Sequence, residues 1–191
     1  GAATAPIGAG EWVHSHNLAT RLSGTESYAF HGSVHAAPTR TTDVPTFDGY
    51  VRANGRVATR NEVWIVNTVG CVNTAAERIA QQARARFGDA VDGIHSFSHP
   101  YGCSQLGDDL QHTRAVLAGL MRHPNAGGVL VLGLGCENNQ MAQLLEAAGP
   151  DIDRARVRWF NTQDVDDEVE EGVEAVGELV AQMANDHRTP V

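Results

Sequence analysis

Four short β-rich runs, residues 62–69, 91–97, 128–132 and 156–160, alternate with amphipathic stretches, and this alternation constrains the architecture more than any other feature. Strands separated by helices must run parallel, because tight turns join only antiparallel neighbours, and their crossovers are right-handed. The expected fold is α/β: a doubly wound, Rossmann- or flavodoxin-like parallel sheet of about four strands, preceded by a short β segment.

The intervening helices can be read residue by residue. Thr74 and Glu77 have capping-box spacing; Ala75, Ile79, Ala83 and Phe87 then share a face before Gly88 stops the helix. Residues 105–122 bring Leu106, Leu110, Leu117 and Leu120 together, and a shorter helix from about Asn138 to Ala148 is closed by Gly149-Pro150. The last helix, near residues 164–185, has a core stripe of Val165, Val169, Val173, Val176, Val180 and Met183. Its acidic residues crowd the first turns, where the helix dipole favours them.

Residues 1–35 read differently. Gly8-Ala9-Gly10 is a turn, and Glu11 to Leu18 alternate like a strand, which would project the imidazoles of His14 and His16 from one face. This piece is too short to bury a core alone. Residues 36–46 are small, polar and interrupted by Pro38 and Pro45, as in a linker, so the α/β domain is expected over residues 47–191.

Composition excludes several function classes. A net charge of −9 without a basic cluster speaks against nucleic acid, and no apolar run is long enough to span a bilayer. Gly1-Ala2-Ala3-Thr4 lacks the charged start and apolar stretch of a signal peptide. Three cysteines, an odd number outside any disulfide-framework spacing, point to the reducing cytoplasm. All 14 basic residues are arginine, so no Schiff-base lysine can come from this segment.

All three cysteines lie at strand-to-helix junctions: Thr68-Val69-Gly70-Cys71, His99-Pro100-Tyr101-Gly102-Cys103, and Gly133-Leu134-Gly135-Cys136-Glu137-Asn138-Asn139-Gln140. In a parallel sheet such junctions converge at the carboxyl edge, where ligands bind. In the third junction two glycines allow close backbone approach, and a helix starting there would offer N–H groups to an anion and favour Cys136 as a thiolate. Glu137, Asn138 and Gln140 add more polar groups than a structural turn requires. His99 and Cys103 are potential metal ligands, and His99 is a candidate general base. Ahead of the first strand, Arg52, Arg56 and Arg60 are placed either to hold a substrate carboxylate or to flank a hairpin turning at Asn54-Gly55. His14 and His16 suit a divalent metal but make only part of a site. His31, His35, His112, His123 and His187 lack such company and read as surface or turn residues. A metabolite- or nucleotide-binding module is the competing class, although neither a Walker sequence nor G-x-G-x-x-G after the first strand is present.

The ordered set Glu11-Trp12-Val13-His14-Ser15-His16-Asn17, Gly49-Tyr50-Val51-Arg52, Gly55 to Asn61, Thr68 to Cys71, His99 to Cys103, His123-Pro124-Asn125 and Gly133 to Gln140 resembles the altronate/galactarate dehydratase family over nearly the whole chain. The resemblance implies a cytoplasmic hydro-lyase of bacterial hexuronate or aldarate breakdown, converting a sugar acid to a 2-keto-3-deoxy acid. Residues 1–35 would be the tail of an SAF-like β domain, and residues 47–191 the first α/β unit of the catalytic region. Two residues depart from the family pattern: Ala58 stands where glycine is usual, and Gly70 where asparagine is usual.

The implied cofactor is a divalent metal, Fe2+ or Mn2+, with an iron–sulfur cluster as the alternative. His14 and His16 would bind the metal in the first case; Cys71, Cys103 and Cys136 would hold the cluster in the second. His99 or Glu137 would be the base, with Arg60 orienting substrate. Arg52, Asn61, Gly135, Asn138 and Gln140 would contact it. The partners implied are the sugar acid and the remainder of the enzyme, or a further copy of the chain.

Overall fold

The computed structural model describes residues 2–19 and 44–191, in two units divided between Gly1–Val44 and Pro45–Val191. In the first, β1 (Ala2–Ala3) pairs antiparallel with β2 (Leu18–Ala19). The strand expected across residues 11–18 forms only at its end. Asn17 Oδ1 accepts the His14 N–H at 2.9 Å, while Asn17 N and Leu18 N both donate to His14 O. These local bonds close a turn at residues 15–17 and take backbone groups that a strand ladder would need. Residues 20–35 of the expected SAF-like tail, with His31 and His35, and residues 36–43 of the expected linker lie outside the described residues.

The second unit runs β3 (Asp48–Val51), β4 (Val57–Ala58), β5 (Glu62–Asn67), α1 (Asn73–Phe87), β6 (Gly93–Phe97), α2 (Gly107–Met121), β7 (Ala126–Gly133), α3 (Met141–Ala148), β8 (Val157–Asn161), α4 (Glu168–Met183) and β9 (Thr189–Pro190). Strands β6-β5-β7-β8 form an all-parallel sheet in that order, with Val63 opposite Ile94 on one side and Gly128 on the other. β5 is buried along its whole length, which explains why Val63-Trp64-Ile65-Val66 reads as a continuous apolar run. Val63, Ile65, Leu130 and Leu132 meet α1 and α4 on one face; Val66, Val129 and Val131 meet α2 and α3 on the other. The doubly wound α/β expectation is met. β4-β3-β9 makes a small antiparallel sheet whose β3–β4 hairpin turns at Asn54-Gly55, with Gly55 at φ +79°.

Three helix starts differ from expectation, each because a side chain bonds elsewhere. α1 has no side-chain cap; Thr74 lies inside the helix, and Glu77 accepts from the Ser98 hydroxyl at 2.8 Å. α2 begins after an exposed Leu106, and its core face is Leu117, Ala118 and Met121. Gln105 turns inward instead, accepting the Gly102 N–H at 2.8 Å and donating to Asp109 and Thr113. α3 starts at Met141, because residues 134–140 are held as a loop by Glu137. α4 starts at Glu168, which leaves Val165 ahead of it, but Val169, Val173, Val176, Val180 and Met183 form the expected stripe, with Asp167 as N-cap to Val169 N and Glu170 N at 3.0 Å. No described helix is long and apolar enough to cross a membrane.

A candidate active site at the carboxyl edge of the sheet

The chain passes from β5 to β6 on one side and then returns to β7 on the other. The connections therefore diverge between the carboxyl ends of β5 and β7, the switch point where doubly wound sheets open a crevice. The three cysteine-bearing loops meet there. Gly70 N donates to Tyr101 O at 2.8 Å, Asn139 N to Gly102 O at 3.1 Å, and Ser104 N to Asn138 Oδ1 at 3.0 Å. The fit is tight enough to require glycine twice. A Cβ at Gly70 would stand 2.5 Å from His99 O, and one at Gly102, which is at φ +98°, would clash with Thr68 O. Cys71, Cys103 and Cys136 are free and exposed along this edge.

Glu137 is buried at the centre of the third loop. Its carboxylate accepts from the Thr68 hydroxyl, from Leu134 N at 3.0 Å and from Gly135 N at 2.6 Å. Burial pushes its pKa up, but the hydrogen bonds from Thr68 and the backbone N–H groups outweigh it and hold the carboxyl below its ordinary value. The N–H groups expected to be open to an external anion are thus taken by the protein's own carboxylate. Cys136 precedes α3 by several residues and so does not lie at a helix start.

His99 is engaged at both ring nitrogens. Nε2 lies 2.9 Å from Asn67 O, and Nδ1 accepts the Tyr101 N–H at 3.2 Å. A carbonyl only accepts and an amide N–H only donates, which assigns the proton to Nε2. The backbone is clamped as well: Asn73 Nδ2 donates to His99 O at 2.9 Å and Asn73 Oδ1 accepts from His99 N at 3.3 Å. In this arrangement neither nitrogen is open to a substrate proton. Gln140 donates to Glu137 O, and Gln163 Nε2 lies 3.8 Å from Cys136 Sγ.

The arginine set lies elsewhere. Arg52 donates to Pro124 O at 2.7 Å, Asn61 Oδ1 at 2.8 Å and Arg60 O at 3.2 Å, and pairs with Asp186 at 3.3 Å. Arg56 donates to Arg122 O at 2.6 Å, while Arg60 bonds the Glu62 carboxylate and Asp92 O. All these groups cluster at the amino end of the sheet. The six residues of β5 put about 20 Å between Arg60 and the carboxyl edge. The structure does not bring Arg52, Arg60 and Asn61 together with His99, Glu137, Gly135, Asn138 and Gln140. A cavity of about 540 Å³ does open at the amino end, lined in part by Arg52, Arg122, Arg154 and Arg156. Its arginines are engaged by backbone carbonyls and by the side chains of Asn61, Asp153 and Asp186.

His14 and His16, in the first unit, have ring centroids 4.8 Å apart, edge to face, and His14 Nδ1 accepts the His16 N–H at 3.1 Å. They meet across a turn rather than on a strand. Among the described residues no three His, Cys, Asp or Glu side chains gather as a metal-ligand set. The described residues therefore do not by themselves fit the metal or cluster that the resemblance implies.

Several polar residues that build the edge were not among the candidate site residues: buried Asn67, Thr68, Gln105 and Asn139, and half-buried Asn73. The available signal was Asn67-Thr68 itself, two polar residues closing an otherwise apolar central strand.

Residues 49–184 match the sequence profile of the D-galactarate dehydratase/altronate hydrolase second domain. The chain belongs to the D-galactarate dehydratase/altronate hydrolase family. Altronate dehydratase of Escherichia coli is 47% identical over 192 residues, and that of Bacillus subtilis 43% identical over 193. Each alignment covers 100% of this chain and 38% of the relative, so the chain spans well under half the length of these family members. The β subunit of (2R)-sulfolactate sulfo-lyase from Chromohalobacter salexigens is 37% identical over 89 residues, covering 47% of this chain and 21% of that protein.

Proposed function

We propose that this chain is part of a sugar-acid dehydratase that eliminates water from an altronate- or galactarate-class acid to give a 2-keto-3-deoxy acid, with substrate held at the carboxyl edge. The observation that carries this reading is the convergence of three polar, glycine-containing loops on the β5–β7 switch point. Its support from relatives is the altronate dehydratase similarity along the whole chain.

The reaction removes a weakly acidic proton next to a carboxylate and expels hydroxide from the adjacent carbon, so the site must stabilise an enediolate and assist a poor leaving group. A divalent metal would supply Lewis acidity. The described residues do not gather three ligands for such an ion. The edge residues can orient a polyhydroxylated acid: Asn138 and Gln140 offer amide groups, and Gly135, at φ +124°, lets the backbone come close. Glu137, a weakened base, and His99, bonded at both nitrogens, are assigned to building the edge. A nucleotide-binding module fits less well, because Glu137 already fills the N–H groups a phosphate would take.

The test uses the full-length enzyme and 2-keto-acid formation from altronate and galactarate. Asn138→Ala and Gln140→Ala are expected to lower kcat/KM by about tenfold or more at unchanged Tm. Arg56→Met, at the opposite end, is expected to leave kcat/KM unaltered. Absence of keto acid from both substrates overturns the reading, as does loss of turnover in Arg56→Met with the edge variants intact.

A further inference from the structure

We propose that Asn139 is the positioning residue that sets the spacing of all three cysteine-bearing loops, with Arg114 holding its amide in register. The proposal rests on the reading that substrate occupies the carboxyl edge.

Asn139 is fully buried and touches every loop of that edge. It belongs to the loop after β7. Its backbone N–H donates to Gly102 O, in the loop after β6, at 3.1 Å. Its side-chain Nδ2 donates to Thr68 O, in the loop after β5, at 3.0 Å. Its Oδ1 accepts from Arg114 Nε, on α2, at 3.1 Å. Thr68 O can only accept and Arg114 can only donate, so the amide orientation is fixed by its partners. Arg114 also donates to Gln143 Oε1 at 2.6 Å, tying α2 to α3 beside the same residue.

Neither aspartate nor leucine fits these roles. Aspartate would keep the acceptor for Arg114 but set an oxygen against Thr68 O, and leucine would leave that carbonyl and the guanidinium without their amide partner. The position of Gly102, packed on Thr68 O, depends on the same contact, because Asn139 bonds the carbonyls of both residues. Asn139 therefore acts on substrate through the loops, by fixing where Cys71, Cys103 and Cys136 stand relative to one another.

Amide hydrogen exchange and steady-state kinetics on the full-length enzyme test this. Asn139→Asp is expected to speed exchange about tenfold in peptides covering residues 68–71, 101–105 and 134–140, with β5 and β7 core amides unchanged. Arg114→Met, on a partly exposed surface, gives the same pattern at smaller amplitude if Asn139→Asp does not fold. kcat for altronate falls with the exchange change while KM moves less, and Asn139→Asp combined with Arg114→Met is less than additive. Faster exchange confined to residues 138–141, or spread evenly over the whole unit, overturns the proposal. Faster exchange in all three loops with unaltered turnover upholds Asn139 as the spacer and removes the edge from catalysis.

Discussion

Thr68 and Glu137, 69 positions apart in the chain, are joined beneath the carboxyl edge: the Thr68 hydroxyl donates to the Glu137 carboxylate oxygen that also accepts the Leu134 N–H. One buried carboxylate thereby ties the end of the central strand to the glycine-containing turn. Its pKa is held below the unfolded value, near 4.3 for glutamate, so its stabilisation is fully present above that pH. It is lost as pH falls through the lower folded value. Glu137→Gln should cost about 1–3 kcal/mol at pH 7. Urea unfolding over a pH series should show the gap between parent and variant closing below about pH 4. A gap that stays constant into the acid range would mean the carboxylate is not what the turn is built on.

The two bonds to the His99 ring make a second prediction. His99→Ala leaves Asn67 O and Tyr101 N without partners and should lower stability by about 1–3 kcal/mol, read as a drop in Tm. Turnover of the full-length enzyme should fall together with Tm. Lost turnover at unchanged Tm would instead return the ring to proton transfer.

Much of the scaffold was legible because period and burial agree: Val63 to Val66 are apolar in succession and buried on both faces, and Val173, Val176, Val180 and Met183 recur along one face of α4. What period alone misses is competition by polar side chains. Gln105 and Glu137 bond backbone groups ahead of α2 and α3 and so delay both helices. The convergence of the cysteine loops followed from topology, since loops after parallel strands share an edge. The same rule places Arg60 and Asn61, which immediately precede β5, at the amino end, so their separation from Cys71 was readable from strand direction. The mutual arrangement of His14 and His16 was not legible, because it depends on the Asn17 side chain closing a turn.

At the amino end Asp186 is held by a bidentate pair with Arg156, both bonds 2.6 Å, and by Arg52 at 3.3 Å. Burial raises the Asp186 pKa, but Arg156, then the Asn61 side chain and Arg52, outweigh it and bring it below the ordinary value. Arg156→Met should cost about 1–3 kcal/mol, because a mostly buried carboxylate loses its principal partner. Asp186→Asn combined with Arg156→Met should be less than additive in urea unfolding. Full additivity would show that the pair contributes nothing beyond its separate contacts.

Gly70, where the family resemblance implies asparagine, offers the sharpest steric test. A Cβ there would meet His99 O at 2.5 Å and the Pro100 Cα at 3.1 Å, both backbone atoms that no side-chain rotation can move. To admit asparagine, the loop after β6 must retreat by about 1 Å to reach ordinary contact distance. That retreat lengthens the Gly70 N to Tyr101 O bond and loosens the hold of Asn73 on His99. Gly70→Asn should therefore lower stability by about 1–3 kcal/mol, measured by urea unfolding. Gly70→Ala should cost a similar amount, because the clash belongs to the Cβ and not to the amide. A neutral alanine variant would mean that the β6 loop shifts at little cost, and the tight mutual packing of the two loops would then not define the edge.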